Sequence, residues 1–365
     1  MMILKKSKIT QGQLMFFVIQ SQVGVGILSL PNKLQATAKG GAWISSLIAG
    51  LAVQVIILIL WALCKRFPSD TIYSFLPKIT GKFLGKLLGF AYIVYFLFSV
   101  STVLAFFADV VGRWVLQTTP RWALLILTLF TCAYLVKENL RVIARLFVIS
   151  SFTIIVIVIL SLFGYAHANI TYVFPIMEAG WGEIIKASNA ALFPLVGYEV
   201  ILVIYPFVEG KSSGKLKAAS LGSLVISLLY TFEVFTSLII FSPEVMPAIS
   251  EPLLYMLKGF SFQIIQRIDL IFLSLWIFIV STAIVSWLYM ATAGLGHFFH
   301  RGEHKKAVPY VVFIVFILAM IAQDPAITDL YDRMIKILHY TFVVGLPLIL
   351  LIFSYLLRKK EAQAR

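Results

Sequence analysis

The sequence predicts an all-α polytopic membrane protein of ten transmembrane helices, in two sets of five whose first helices are each broken. Three observations carry this. Of 365 residues, 61% are hydrophobic and 13% charged, whereas soluble domains are nearer half apolar and a quarter charged. Apolar runs long enough to cross ~30 Å of hydrocarbon, about 20 residues each, recur from end to end. The first and sixth of these runs are interrupted by glycine and proline. Helices satisfy their own backbone in lipid, where open sheet edges cannot.

In chain order the spans fall near 12–33, 42–64, 86–110, 122–136, 143–165, 184–207, 217–241, 268–298, 308–323 and 336–357. The first contains "QVGVGILSLP" (22–31), in which Gly24 and Gly26 flank Val25 and Pro31 follows. Glycine makes unwinding inexpensive, and unwound backbone persists at membrane depth only where protein covers it or it lines a cavity. An unwound point frees N–H groups that suit a carboxylate and C=O groups that suit an ammonium or a cation. The same residues also fit plain helix packing through small side chains, with Pro31 ending the span. The run is read as a retained helix, not a cleaved signal, although Ala36-Thr37-Ala38 follows it.

The second span is uninterrupted. The third carries Tyr95, Ser99 and Thr102 at i, i+4 and i+7 on one helical face, and its Asp109 lies close enough to the outer end to be solvated. The fourth and ninth are short for a full crossing and borrow flanking residues; the fifth closes the first set. The sixth, "NAALFPLVGYEVILVIYP" (189–206), is broken by Pro194 and Gly197 and holds Glu199 within the apolar run. An acidic side chain in hydrocarbon costs about 2.5–3.5 kcal/mol on insertion scales, so Glu199 faces protein and has a role there. That role is a partner for a ligand ammonium, a coupling proton, or a brace accepting local backbone N–H bonds. Glu233 in the seventh span is a similar case with no motif around it.

Interrupted segments at equivalent places in two halves point to a transporter-type site at the midplane. Because five is odd, the second set enters from the opposite side, which makes the repeat inverted. The chain is one integral domain over 1–365, with repeat 1 at about 12–165, repeat 2 at about 184–323 and 336–357 added as the tenth span.

The net charge of +14 is topological. With the N-terminus inside, 21 of the 30 Lys and Arg fall in inside segments, among them Lys5, Lys6, Lys65, Arg66, Lys211, Lys305 and Arg365, as the positive-inside rule requires. Both termini are placed in the cytoplasm and a nucleic-acid role has no support. Cys64 and Cys132 read as buried apolar residues, not a disulfide framework. His297, His300 and His304 lie at metal-compatible spacing, but Arg301, Lys305 and Lys306 among them disfavour a metal, and no cofactor is expected. "NIT" (169–171) matches a glycosylation sequon. No HExxH, GxSxG or phosphate loop occurs, so the chain is not read as an enzyme. The apolar patterned stretch in 242–267 fits a helix covering the site or a simple interfacial helix, and the aromatic loop at 166–183 is a second candidate cover.

"GVGILSLP" of the first span, "FPLVGYE" of the sixth and "LWIFIVSTAIVSWLYMATAGL" of the eighth resemble the B subunit of GerA-type spore germinant receptors, a branch of the amino acid–polyamine–organocation transporter superfamily. The resemblance covers essentially the whole chain. It implies a LeuT-like 5+5 inverted repeat with spans one, three, six and eight around a central pocket. There, the resemblance implies, a small amino acid lays its carboxylate on the amides of Gly24, Val25, Gly26 and Ile27, and its ammonium faces carbonyls of Leu195, Val196 and Gly197. Tyr95, Ser99 and Thr102 from the third span and Trp276, Ser281 and Thr282 from the eighth are the implied walls, with Glu199 as proton-linked group or support for the break. The implied role is germinant sensing in the inner membrane of a spore, beside a larger A subunit and a lipoprotein C subunit. The alternative is a proton-coupled amino acid transporter using the same pocket.

Overall fold

The computed structural model of the protein describes residues 8–259 and 267–361; Lys5, Lys6 and Arg365, counted above for topology, lie outside them. At the start of the bundle the Ile9 amide donates to the Phe207 carbonyl and the Glu209 amide to the Ile9 carbonyl, both at 2.9 Å. Thr10 then begins α1 (Gln11–Gln22) with a capping box: its hydroxyl accepts from the Gln13 amide while the Gln13 side chain accepts from the Thr10 amide, satisfying two donors reciprocally. α1 stops at Val23, which turns extended (φ −76°, ψ 103°), and α2 (Gly26–Ala38) resumes the span. Pro31 sits inside α2 instead of ending it. Its missing N–H leaves the Ile27 carbonyl without a helical donor, and the helix continues to Ala38.

The first repeat continues with α3 (Ala42–Arg66), α4 (Ile72–Thr80), α5 (Lys82–Trp114), α6 (Arg121–Val136), α7 (Leu140–Ser150) and α8 (Phe152–Leu162). The second has α9 (Gly180–Leu192), α10 (Ile201–Ile204), α11 (Ser212–Ile240), α12 (Pro252–Lys258), α13 (Ile268–Phe299), α14 (His304–Ile321), α15 (Pro325–His339) and α16 (Leu346–Leu356). A π-helical turn, Tyr340–Gly345, joins the last two. Seven helical stretches among the described residues are long and apolar enough to cross a membrane. The difference from ten has three sources. The second half of the first span runs on into the second as one stretch, Gly26–Arg66; the sixth span is broken; and α6 has 16 residues, or ~24 Å at 1.5 Å per residue.

The second span packs on the seventh and the third on the eighth, each against its counterpart in the other repeat, while α1 lies against α7, α11 and α13. The basic segments gather at one end. There the Arg66 guanidinium donates to the Lys359 and Ser354 carbonyls, Arg141 to the Lys8 carbonyl and Gln11 to the Lys211 carbonyl.

Three elements differ from the sequence expectations. The tenth span begins at Pro325, not near 336, because α15 carries Asp329, Asp332, Arg333 and Lys336 and so falls below a hydropathy criterion. α4 is an additional short helix between the second and third spans. Asp109 is ion-paired with Arg121, which also donates to the Ala322 carbonyl at 2.7 Å, so it is held by protein instead of simply hydrated.

In the loop 242–267, α12 forms the expected helix, while 260–266 lie outside the described residues. Asn32 of α2 donates to the Met246 and Ile249 carbonyls, both at 2.8 Å, and Gln35 to the Pro243 carbonyl at 3.2 Å. Arg113 at the end of α5 pairs with Glu251 at 2.5 Å. The loop is thereby tied to the second half of the first span and to the third.

Candidate functional site

The two interrupted spans touch at their breaks. A Cβ built on Gly26 would stand 2.7 Å from the Pro194 Cβ, and one on Gly197 would run into the Ser21 carbonyl. Gly197 has φ +127°, a conformation that only glycine adopts without strain. It separates the end of α9 from the short turns at Tyr198–Phe207. Around this contact the Gln22 side-chain amide donates to the Leu195 carbonyl at 2.5 Å and to the Ser223 hydroxyl at 3.3 Å. Tyr230, from the seventh span, donates to the Gln22 carbonyl at 3.1 Å and accepts from the Gly24 amide at 3.2 Å. Ser21 bonds Ser286 at 2.9 Å, and Gln20 bridges Ser151 (3.0 Å) and Thr282 (2.5 Å), linking the first, fifth and eighth spans.

Between the breaks lies a cavity of about 40 Å³, room for about one water molecule. Gly24, Val25, Gly26, Ser99 and Val196 line it, as do Ser21, Gln22, Val103, Phe193, Pro194, Ala283 and Trp287. A Cβ on Gly24 would meet no atom within 4 Å. The first-turn amides of α2 have no intrahelical acceptor. The Gly24 amide, by contrast, is already held by Tyr230.

The other expected residues sit off this cavity. Ile27 is buried one position deeper in α2. Leu195 offers a carbonyl, but Gln22 takes it. The Gly197 carbonyl accepts from the Val200 amide at 3.3 Å. The Ser99, Thr102 and Ser281 hydroxyls donate to carbonyls of their own helices, Tyr95, Phe98 and Ile277, the habitual use of a hydroxyl in a span. Trp276 is buried against Phe107, with ring centroids 5.8 Å apart, and Thr282 belongs to the Gln20 bridge.

Glu199 is fully buried. One carboxylate oxygen accepts from the Tyr95 hydroxyl at 2.9 Å and the other from the Gly197 amide at 2.8 Å. It therefore fastens the unwound segment to the third span. Glu233 is also buried, and one of its oxygens accepts from Ser161 at 2.9 Å. The three histidines part company: His297 stacks on Tyr73, His300 on Tyr310, and His304 reaches the Val136 carbonyl at 3.2 Å.

Sequence reasoning missed Gln22, Tyr230, Phe193 and Trp287. Gln22 had a signal, being an amide side chain directly before the glycine break in an apolar run. Tyr230 and Trp287 had none, since nothing in one span states which residue of another it meets. The expected outcome of Tyr230→Phe is loss of two buried hydrogen bonds at the first break. That should lower stability by about 1–3 kcal/mol, read as a fall in the thermal unfolding midpoint in detergent. An unchanged midpoint would show that the hydroxyl is not engaged there.

A larger cavity of about 680 Å³ opens at the basic end, lined by Lys8, Ser74, Asn139, Tyr289, His297 and His304 among others. Along the sixth span Val196 faces the central cavity and Val203 this one; along the eighth, Trp287 faces the first and Tyr289 the second. Glu199 lies between Val196 and Val203 on the sixth span and bonds Tyr95, whose ring meets Trp287 with centroids 6.0 Å apart.

The family profile of spore germination proteins matches residues 8–328. Spore germination protein GerQB of Bacillus cereus is 25% identical over 338 residues, covering 92% of this chain and 93% of the relative. Spore germination protein YndE of Bacillus subtilis (strain 168) is 24% identical over 352 residues, covering 95% and 96%. Spore germination protein A2 of the same organism is 27% identical over 356 residues, covering 94% of each. Among solved structures, MhsT crystallised in complex with L-phenylalanine superposes with a TM-score of 0.69 at 13% identity, over 96% of this chain and 89% of that one. At such identity the likeness shows the fold alone, the LeuT-like 5+5 inverted repeat with helices 1 and 6 broken.

Proposed function

The chain belongs to the spore germination protein family, and from that premise we propose that it is the ligand-sensing subunit of a germinant receptor, binding a small neutral amino acid where the two broken helices meet. The observation that carries this reading is the cavity between the breaks, with first-turn amides of α2 beside Gly26 and a Gly24 position open to it. The carboxylate lies on the amides around Val25 and Gly26, and the ammonium takes the carbonyl side of the sixth-span break near Val196. Ser99, Phe193 and Trp287 shape the space for the side chain. The cavity as described is far below the ~300–1,000 Å³ of drug-sized ligand sites, so binding requires the half-helices to move apart.

That movement is the signal. α2 begins at the ligand's amides and holds the outer loop through Asn32 and Gln35, so a shift of this half-helix moves the loop. Ligand affinity for the opened arrangement over the closed one sets how far the equilibrium shifts. The partners that read it are an A subunit and a lipoprotein C subunit in the spore inner membrane, with both termini on the core side. The gathering of basic segments at one end supports that orientation.

A second reading, proton-coupled amino acid transport, is favoured by the 680 Å³ cavity at the basic end, which would serve as a release path once the contacts of Tyr95 with Glu199 and Trp287 opened. One experiment separates the two: uptake of radiolabelled neutral amino acids by the full chain in liposomes under an inward proton gradient, compared with Gly24→Leu. For the receptor, label saturates near one per protein, and Gly24→Leu abolishes it, since its side chain more than fills the cavity; the variant's thermal midpoint in detergent reports whether it still folds. Label that accumulates until the gradient collapses would establish transport. Equal binding by Gly24→Leu would move the site elsewhere.

A further inference from the structure

The geometry points to a second binding site, beside the central one, for an anionic head group carried on an apolar body. It lies between the first half of the sixth span, the outer end of α2 and the tenth span. The cavity there is about 360 Å³, within the range of small-molecule sites and much larger than the space between the breaks. Its walls include Thr37, Lys186, Asn189, Phe193, Lys336 and His339.

Three observations define what it takes. Lys186 and Lys336 are the charged side chains lining it, and no carboxylate does. Their partners Glu183 and Asp332 stand about one turn back on the same helices, at 3.2 and 2.6 Å. Both lysines are exposed, though Asp332 is half-buried; pairs on an exposed face hold weakly, so both ammonium groups can turn to an incoming anion. His339 is only 2% exposed, yet its Nδ1 has no hydrogen-bond partner among the described residues. A buried polar atom left unpaired is costly, and a ligand in the adjoining cavity supplies the missing partner. The remaining wall is Ala187, Ala190, Leu192 and Phe193, with Tyr340 beside His339, apolar but for the one phenol. Ile185 and Ile337, next to the two lysines in sequence, are 54% and 66% exposed on the outer surface of these spans, where an acyl chain would run.

The position connects this site to the break. His339 Nε2 lies 3.5 Å from the Tyr198 hydroxyl, Tyr198 precedes Glu199, and Phe193 lines both cavities. The tenth span turns π-helical immediately after His339, an irregularity that marks functional positions in helices. An occupant here bears on the segment that shapes the central cavity.

The test uses the full chain in vesicles of phosphatidylcholine alone, with added phosphatidylglycerol, or with inorganic phosphate, reading the thermal unfolding midpoint and lipid retained in native mass spectrometry. Phosphatidylglycerol should stabilise the protein and remain bound. Lys186→Gln with Lys336→Gln should weaken its retention roughly 25-fold, at about fivefold per lysine, with no change of midpoint in phosphatidylcholine alone. His339→Asn should weaken it also, and its midpoint in phosphatidylcholine reports whether that variant folds. Stabilisation by inorganic phosphate, lost in the lysine variant, would overturn the apolar body and leave an anion site. No stabilisation by either, or retention indifferent to the lysine variant, would overturn the site.

Discussion

Gly197→Ala should leave little folded protein. Alanine at φ +127° carries backbone strain of about 1–3 kcal/mol. Its Cβ would also collide with the Ser21 carbonyl, a backbone group that no rotamer change can remove, and overpacking of this kind adds about 1–3 kcal/mol or more. Together these reach the exceptional end of single substitutions, about 4 kcal/mol and above, against a total stability of only about 5–15 kcal/mol. The measurement is the yield of monodisperse protein and its thermal midpoint in detergent. Gly26→Ala should fall between, because the opposing atom belongs to Pro194, a stiff ring on a segment that can shift. Gly24→Ala should fold normally, with no atom within 4 Å of the new methyl, and fail only in ligand response. If Gly197→Ala matches the parent to within about 1 kcal/mol, the two breaks do not meet as described.

That ordering also shows where sequence reasoning reaches. The breaks at Gly24–Gly26 and Pro194–Gly197 are legible because glycine and proline act on the backbone of their own residue, and an apolar run around them makes the interruption visible. Glu199 is legible for the same local reason, since a carboxylate within an apolar run must find a partner. Which glycine does what is not legible. Gly24 and Gly26 look equivalent in "GVG", yet one faces a cavity and the other abuts Pro194, a difference set by the packing of two spans far apart in the chain. Ser99 and Thr102 have the spacing of one helical face and Ser281 is an implied wall of the eighth span, but each hydroxyl is satisfied within its own helix. Tyr230 reaches the first break only through the register of the seventh span against α1. The start of the tenth span is hidden from the hydropathy pattern because Asp329, Asp332, Arg333 and Lys336 interrupt it, and of these Lys336 lines the cavity beside His339.

Glu199→Ala should be the second severe substitution. It orphans two buried donors at once, the Tyr95 hydroxyl and the Gly197 amide, each costing about 1–3 kcal/mol when left unpaired, and it adds a void where the carboxylate stood. Tyr95→Phe removes the hydroxyl and leaves one buried Glu199 oxygen without its donor, so its cost should be about 1–3 kcal/mol. Glu199→Gln is the informative case. Its carbonyl oxygen can still accept from the Gly197 amide, and its NH₂ can donate to the Tyr95 oxygen once that hydroxyl rotates, so the fold and the break survive. A brace for the unwound segment therefore predicts near-parental stability and ligand binding in Glu199→Gln, both lost in Glu199→Ala. A proton carrier predicts something else: Glu199→Gln that folds and binds, yet no longer accumulates amino acid under a proton gradient. Binding and accumulation measured on the same liposomes decide between them, because an amide keeps the hydrogen bonds of the carboxylate and cannot take up its proton.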